Sequence, residues 1–349
     1  MWRPAMAGAA ATARATPRDG GAGGVTTVDR AAARETLTYR PVREDELPAC
    51  VDIWRVSIND YIVPLNQPEI GEETAPLLRL YTHLRSTDPD RFMVATQPSP
   101  EAESDHRIVA FAAAVQRERL WFLSMCFVLP DVQRGGVGRE LVARIGPPPR
   151  DGEDSTVRAT STDTAQPISN ALYASLGIVP QVPLLNLIGT PRTPEAFGQL
   201  PSGITPVPFE TLARQDHGGL AAIVDALDRE LLGVAHPIDH AYIRKEGRRA
   251  WLYEGPDGAP IGYGYATEAG RVGPVATRDA ALMAPILGHL MTEVIPRGAF
   301  AIWLPGTAGE AVTATLRAGF RLEPFPLLLC WDRPFADLTR YLPISPGLL

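Results

Sequence analysis

Cysteine is scarce in this chain. There are three in 349 residues, Cys50, Cys126 and Cys330, far apart and without a C-x-x-C pair. That spacing excludes a disulfide framework and a cysteine-based zinc site. It suits a reducing compartment, and a cytoplasmic location is expected. Long apolar runs are missing too, so no segment reads as a bilayer span and no membrane partner is expected. There is no basic excess: 33 Lys and Arg stand against 40 Asp and Glu, a net charge of -7. A nucleic-acid partner would demand a basic face, and none is expected. Several catalytic and metal signatures are also absent: no H-E-x-x-H, no G-x-S-x-G, no EF-hand loop and no G-x-x-x-x-G-K-[ST].

What is present fits a folded protein. The chain is 45% hydrophobic and 21% charged, and its length suits two domains. Residues 1–36 stand apart. "MWRPAMAGAAATARATPRDGGAGG" is rich in Ala, Gly and Arg and has almost no large apolar side chains. It buries too little surface to offset the entropy of ordering, so a disordered extension, or a start assigned too far upstream, is expected. Its Arg-rich, acid-poor composition is only a faint match to a transit peptide.

Order is expected from Leu37. "LTYRPVREDELPACVDIWRVSIND" reads as a short strand followed by a helix. Leu47, Cys50, Val51, Trp54 and Ile58 form its apolar stripe, and Asp45 is its candidate cap. A second helix is predicted over 72–86 and a strand over Phe92 to Thr96. "RIVAFAAAVQ" and "RLWFLSMCFV" flank the polar trio Arg117–Glu118–Arg119 and read as an antiparallel hairpin. The hairpin leads into "VLPDVQRGGVGRELV", residues 128–142, where a strand end passes through a glycine cluster into a helix.

That junction is not a dinucleotide fingerprint, which needs G-x-G-x-x-G, a βαβ start and a downstream acidic ribose ligand. Its spacing is Q-x-x-G-x-G, at Gln133, Gly136 and Gly138. A strand ending beside a helix N-terminus presents backbone N–H groups and the positive end of the helix dipole. Glycines remove the Cβ atoms that would keep a pyrophosphate away. Arg134 and Arg139 add positive charge at the rim. A plain glycine turn is the alternative; the strand before and the helix after argue against it.

The loop, with "FVLPDVQ" before it, resembles motif A of the GCN5-related N-acetyltransferases (GNAT), [QR]-x-x-G-x-[GA] after V-x-P-x-x-[QR]. "NALYASLGI", on a helix expected from about Gln166 to Gly177, is similar to the family's motif B, A-x-x-x-Y-x-x-x-G-F. The resemblance implies an acetyl-CoA site built from Cys126, Phe127 and Val128 on the strand, from Gln133, Arg134, Gly135, Gly136, Val137, Gly138 and Arg139 in the loop, and from Asn170. It makes Tyr173 the general acid near the CoA sulfur, backbone N–H groups around Met125 to Val128 the oxyanion donors, and acetyl-CoA the cosubstrate, with no metal. One departure is "GPPPRDGEDS", whose prolines stop the helix after motif A early. Cys126 has no histidine near it in sequence and reads as a small hydrophobe. The general base is left open among Glu118, Asp163 and a water chain.

The second half repeats the first. "NALYASLGIVPQVPLLNL" and "TATLRAGFRLEPFPLLLCW" align Gly177 with Gly319. The copy has lost the chemistry: "VATRDA" stands for "QRGGVG", Thr315 for Tyr173 and Val312 for Asn170. Its expected role is to pack on the first copy and shape the acceptor pocket, with "DRELLGVAHPIDH" as candidate lining. His236 and His240 flank Pro237 and are read as part of a solvated loop, not a metal site. The expected fold class is α+β, two tandem GNAT-like domains, each a mixed, largely antiparallel sheet flanked by helices. The expected division is a disordered extension over 1–36, an acetyl-CoA-binding domain over 37–190, a linker over 191–203 and a degenerate domain over 204–349. The expected activity is acetyl transfer to a primary amine of a small molecule, by a monomer or homodimer. A non-catalytic acyl-CoA-binding regulator and a protein N-acetyltransferase are the alternatives.

Overall fold

The first helical stripe packs in part as its spacing predicts, since Trp54 and Ile58 are only half-buried. In α1 (Leu47–Ile62), Leu47, Cys50 and Val51 are buried together with Ile53. A computed structural model describes residues 37–72, 74–99, 106–133, 135–147 and 156–349. The extension, Arg134 and most of the proline-rich stretch after motif A lie outside the described residues.

The first half runs β1 (Thr38–Pro41), α1, α2 (Ala75–Thr87), β2 (Phe92–Pro98), β3 (His106–Arg117), β4 (Leu120–Val128), α3 (Val137–Ile145), β5 (Val157–Asp163), α4 (Pro167–Ser175) and β6 (Val179–Gly189). The second half repeats that order: β7 (Thr205–Pro208), α5 (Phe209–Leu231), α6 (Pro237–Lys245), β8 (Arg249–Glu254), β9 (Pro260–Ala266), β10 (Arg271–Thr277), α7 (Met283–Glu293), β11 (Phe300–Pro305) and α8 (Gly309–Arg317). It closes with β12 (Arg321–Leu322), β13 (Leu327–Trp331) and β14 (Tyr341–Leu342). Alternating apolar strands buried on both faces, such as β3 with Val109 to Val115, form the centre of each half.

Among the described residues, all strands join one 14-stranded sheet, in the order β1-β2-β3-β4-β5-β13-β6-β11-β10-β9-β8-β7, with β12 on β6 and β14 on β10. The order reveals an exchange. β13, from the second half, lies between β5 and β6 and pairs antiparallel with both. β6, from the first half, pairs antiparallel with β11 of the second. Each half therefore completes the sheet of the other, and of two hydrophobic clusters the larger draws on residues of both halves.

Each half holds one parallel pair. β4 and β5 pair only from Leu120↔Val157 to Leu123↔Thr160, then diverge. β10 and β11 pair only at Arg271↔Ala301 and Val272↔Ile302. Just past that point β14 pairs with β10, at Val275↔Leu342 and Ala276↔Tyr341. The second opening is thus occupied by the chain's own strand.

A polar seam joins the halves near the β3–β4 hairpin, at the other end of β4 from the glycine loop. His236 and His240 belong to it and are buried, 1% and 4% exposed, which corrects the expectation of a solvated loop. Pro237 is the reason: at the first position of α6 it starts a helix that turns both rings inward. His240 shares hydrogen bonds with Asp228 and Tyr265, both at 2.9 Å, and His236 with Tyr341 at 3.1 Å. Donor atoms of Asp228, His236 and His240 all lie within 4.8 Å of one another. Burial holds His236 down at about 4, hence neutral, against the pull of Asp228.

Candidate active site

The opening between β4 and β5 is where the motif residues meet. β3 and β4 pair with a bulge that skips Ser124, between Ala113↔Met125 and Ala114↔Leu123. Bulges bend a strand and raise its twist, which turns the end of β4 away from β5. Beyond Leu123 the edge of β4 facing β5 has no strand partner among the described residues. Thr160 fixes the vertex by donating its hydroxyl to the Leu123 carbonyl at 2.8 Å.

The glycine loop lies at the far end of β4. Gly136 has φ +81° and precedes the first residue of α3, a conformation that suits glycine. It lets the chain turn abruptly, so that the first N–H groups of α3 have no intrahelical acceptor and face the loop. Gly138 answers to packing: a Cβ there would lie 3.6 Å from Cys126 Sγ, Val128 and Leu172. A side chain larger than alanine would press against all three. Gln133 donates its amide to the Val128 carbonyl at 3.0 Å, and Ser57 donates to the same oxygen at 3.1 Å. These bonds fix where the strand ends and the loop begins. Arg139 is exposed and donates to Ser175 Oγ at 2.7 Å. Val137 is buried, and Cys126, Phe127, Val128, Gly135 and Gly136 are partly so. Arg134 lies outside the described residues.

α4 lies over β5. Ser169 shares a 2.7 Å hydrogen bond with Thr162, which fixes which side of α4 faces the strand. Tyr173, four residues on, shares that side. It is 5% exposed, and the Cys126 thiol lies beside it. Burial, with Cys126 beside it, raises Tyr173 well above the usual phenol value. It is therefore protonated at neutral pH and able to give a proton. Burial raises Cys126 to about 12, so it is a neutral thiol, as its sequence context implied. Asn170 braces the start of α4: its Nδ2 donates to the carbonyls of Asp163 at 2.8 Å and Gln166 at 2.7 Å. Its Oδ1 is buried and has no hydrogen-bond partner among the described residues.

The opposite face of β5 is built by groups the motifs did not indicate. Alternation puts Ser161 and Asp163 there. Asp163 accepts from the Tyr61 hydroxyl at 3.0 Å and from the Ala165 N–H at 2.8 Å. Ser161 donates to the Pro346 carbonyl at 2.6 Å, and Ser124 on β4 donates to the Gly347 carbonyl at 2.5 Å. Ser345 and Leu348 bond reciprocally around Pro346–Gly347 as a tight turn. A Cβ on Gly347 would lie 2.8 Å from the end of the Met125 side chain and 3.3 Å from Leu80, so the turn sits in close contact with β4 and a larger residue would push the Met125 tip aside. The turn comes from the second half, directly after β14. "SPG" reads as a turn in the sequence; nothing local indicates that it docks here. The "DRELLGVAHPIDH" segment, expected as pocket lining, lies instead in the seam by the hairpin. Glu118 is also there, at the hairpin tip and paired with Arg229 at 2.8 Å, far from the opening.

This geometry is that of a known family. Residues 57–178, the span from α1 through both motifs, match the model of the acetyltransferase (GNAT) family. They are a GNAT domain. Among solved structures the whole chain is similar to a candidate acetyltransferase of Pyrococcus horikoshii, with 14% identity, TM-score 0.63 and coverage of 90% of this chain and 96% of that one. It is also similar to a GCN5-related N-acetyltransferase of Sphaerobacter thermophilus, with 17% identity, TM-score 0.56 and coverage of 88% and 99%. No curated protein matches. The similarity to these structures extends through both halves, and the repeated order of elements makes the chain two tandem GNAT-like domains. The second carries neither the glycine loop nor the tyrosine: Thr315 is fully buried, its hydroxyl bonded to the Ala311 carbonyl at 2.7 Å. Among the described residues, no helix is long and apolar enough to cross a membrane.

Proposed function

We propose that this protein is an acetyl-CoA-dependent N-acetyltransferase acting on a primary amine of a small molecule, with Tyr173 as general acid. The observation that carries the reading is Tyr173 itself. It is a buried, protonated hydroxyl held against β4 where that strand leaves β5, in the same opening that the glycine loop closes at its far end.

The residues present fit acetyl-CoA. The loop from Gln133 to Gly138 and the first turn of α3 would take the pyrophosphate on backbone N–H groups, and Gly136 supplies the turn that aims them. Arg139 supports this from the rim. The free edge of β4 beyond Leu123 would take the pantetheine arm as a strand takes a partner, and its N–H groups would stabilise charge on the thioester oxygen. Tyr173 holds a proton at its hydroxyl for the departing sulfur. The thioester supplies the activated acetyl group.

A panel of primary amines offered with acetyl-CoA, followed by release of free thiol and by mass spectrometry of the product, tests this reading. An acetylated amine supports it. Tight acetyl-CoA binding with no amine acetylated points instead to a non-catalytic acyl-CoA-binding regulator.

A further inference from the structure

We propose that Asp163 is the anchor and proton acceptor for the acceptor's ammonium group, on the face of the opening that the Ser345–Leu348 turn walls off. The inference rests on the acetyltransferase reading and adds to it the second half of the site.

The argument begins with faces. A strand projects successive side chains to opposite sides. Thr162 reaches α4, the helix of Tyr173, whereas Ser161 and Asp163 reach the turn and the last turn of α1. An amine attacking a thioester held in the opening would have the proton donor to sulfur on one side and itself arrive from the other. Asp163 is the sole carboxylate in the sequences of β4 and β5. The other polar groups on this face at the vertex are already engaged: Ser124 and Ser161 both donate to carbonyls of the turn. Two hydrogen bonds, from Tyr61 and Ala165, fix the Asp163 carboxylate and leave lone pairs for a third donor. Burial raises its proton affinity, the direction a proton acceptor needs, although the bonds from Ala165 and Tyr61 oppose it.

The turn decides what the acceptor can be. It occupies the vertex from the acceptor side, with Leu348 and Leu349 buried behind it. A polypeptide laid across the strands would collide with it. A short chain ending in an ammonium group, entering at the mouth beside Asp163, would not. The class implied is a small aliphatic primary amine, bound as its cation.

The step balances. The acceptor R–NH3+ gives one proton to Asp163, which passes it to solvent. The freed nitrogen forms the C–N bond and the C–S bond of the acyl-CoA thioester breaks. Sulfur leaves with the Tyr173 proton, and the second proton lost by nitrogen restores the tyrosine. The products are the amide, CoA thiol and one proton.

The test compares the full chain with its Asp163→Asn variant. Asparagine keeps the size and the acceptor for Tyr61 but removes the charge. One arm follows thiol release with acetyl-CoA and an n-alkylamine series from ethyl to hexyl. We expect the amine-dependent rate to fall by about 100-fold or more in the variant while acetyl-CoA affinity stays within about threefold, with partial recovery in Asp163→Glu. An amine-dependent rate within threefold of wild type overturns the proposal. The other arm needs no turnover: n-hexylammonium is titrated into each protein, saturated with CoA, by ligand-observed NMR. Binding to wild type that weakens at least tenfold in Asp163→Asn supports the anchor even if no amine is acetylated, in which case the acetyltransferase reading fails alone. Equal binding to both proteins, or binding to neither, overturns it.

Discussion

Arg117, on the first half, donates two parallel hydrogen bonds to Asp239, on the second, at 2.7 and 2.8 Å. The same guanidinium reaches Asp88 at 2.7 Å, and His83 shares a 2.7 Å hydrogen bond with Asp239 Oδ1, one of the two oxygens that the guanidinium holds. All four residues are buried. This forked pair ties the two halves together in the seam, and geometry of this kind favours arginine over lysine.

Replacing Asp239 by Asn leaves that guanidinium with one carboxylate instead of two. Breaking a buried pair typically costs about 3–5 kcal/mol, and the remaining Asp88 places this case at the lower end, about 3 kcal/mol. Urea unfolding monitored by circular dichroism measures it. A loss under about 0.5 kcal/mol would mean that the seam contributes little to holding the halves together.

Stability should fall on the acid side. The unfolded chain protonates His236 near 6.5, whereas burial keeps the folded ring neutral down to about 4. Between those values the unfolded state binds more protons, so stability declines as pH drops. Asp239 continues the decline below that window: although burial opposes it, hydrogen bonds from Arg117 and His83 hold its carboxyl well below the usual range. Its contribution is present above the unfolded aspartate value, about 3.9, and is lost below it. Melting temperatures at pH 7, 5.5 and 4 should decrease in that order, and His236→Phe should flatten the step between 7 and 5.5. A melting temperature that is flat or rising towards pH 4 contradicts the prediction.

One acetyl-CoA should bind per chain. In the second half β14 pairs with β10 in the position where a pantetheine arm would lie, and no glycine loop follows β10. Calorimetric titration should give a stoichiometry of one, and Gly136→Glu should abolish it by placing bulk and negative charge against the pyrophosphate. Two saturable sites, or unaltered binding in the variant, would remove the basis for assigning the cradle.

Tyr173→Phe isolates the hydroxyl. The ring still packs, so acetyl-CoA affinity should stay within a few-fold. The single-turnover rate with an amine substrate should fall by about 10²–10⁴, roughly 3–5 kcal/mol of barrier. An unchanged rate would take Tyr173 out of the mechanism.

Much of the first half was legible because its signals are local. The Q-x-x-G-x-G loop, the hairpin around Glu118 and the helix ending at Gly177 are each written within about fifteen residues, and the structure forms each where spacing predicts it. The repeat was legible from the parallel between Gly177 and Gly319, both at positive φ after a helix. Strand partnership was not. "PLLNL" and "PLLLCW" are nearly the same apolar string, and nothing in either says which neighbour it takes. The docking of Pro346 and Gly347 on Ser161 and Ser124 joins residues more than 180 apart. Tyr61 and Asp163 are likewise separated by 102 positions. His236 and His240 were misread because Pro237 was taken as a loop signal when it starts a helix.

The exchanged strand also sets a timetable. As the ribosome releases the chain, the glycine loop, Tyr173 and Asp163 all emerge while β5 still lacks the neighbour that lies beside it in the finished sheet. That neighbour, β13, and the Pro346–Gly347 turn come more than 150 residues later than Tyr173. During that interval the unpaired edge of β5 is open to mispairing, above all with β6, whose apolar string resembles that of β13. The sheet around the glycine loop and Tyr173 is therefore completed late, only once the second half has been made. A chaperone that shields extended apolar edges would have its longest task on this protein between those two moments.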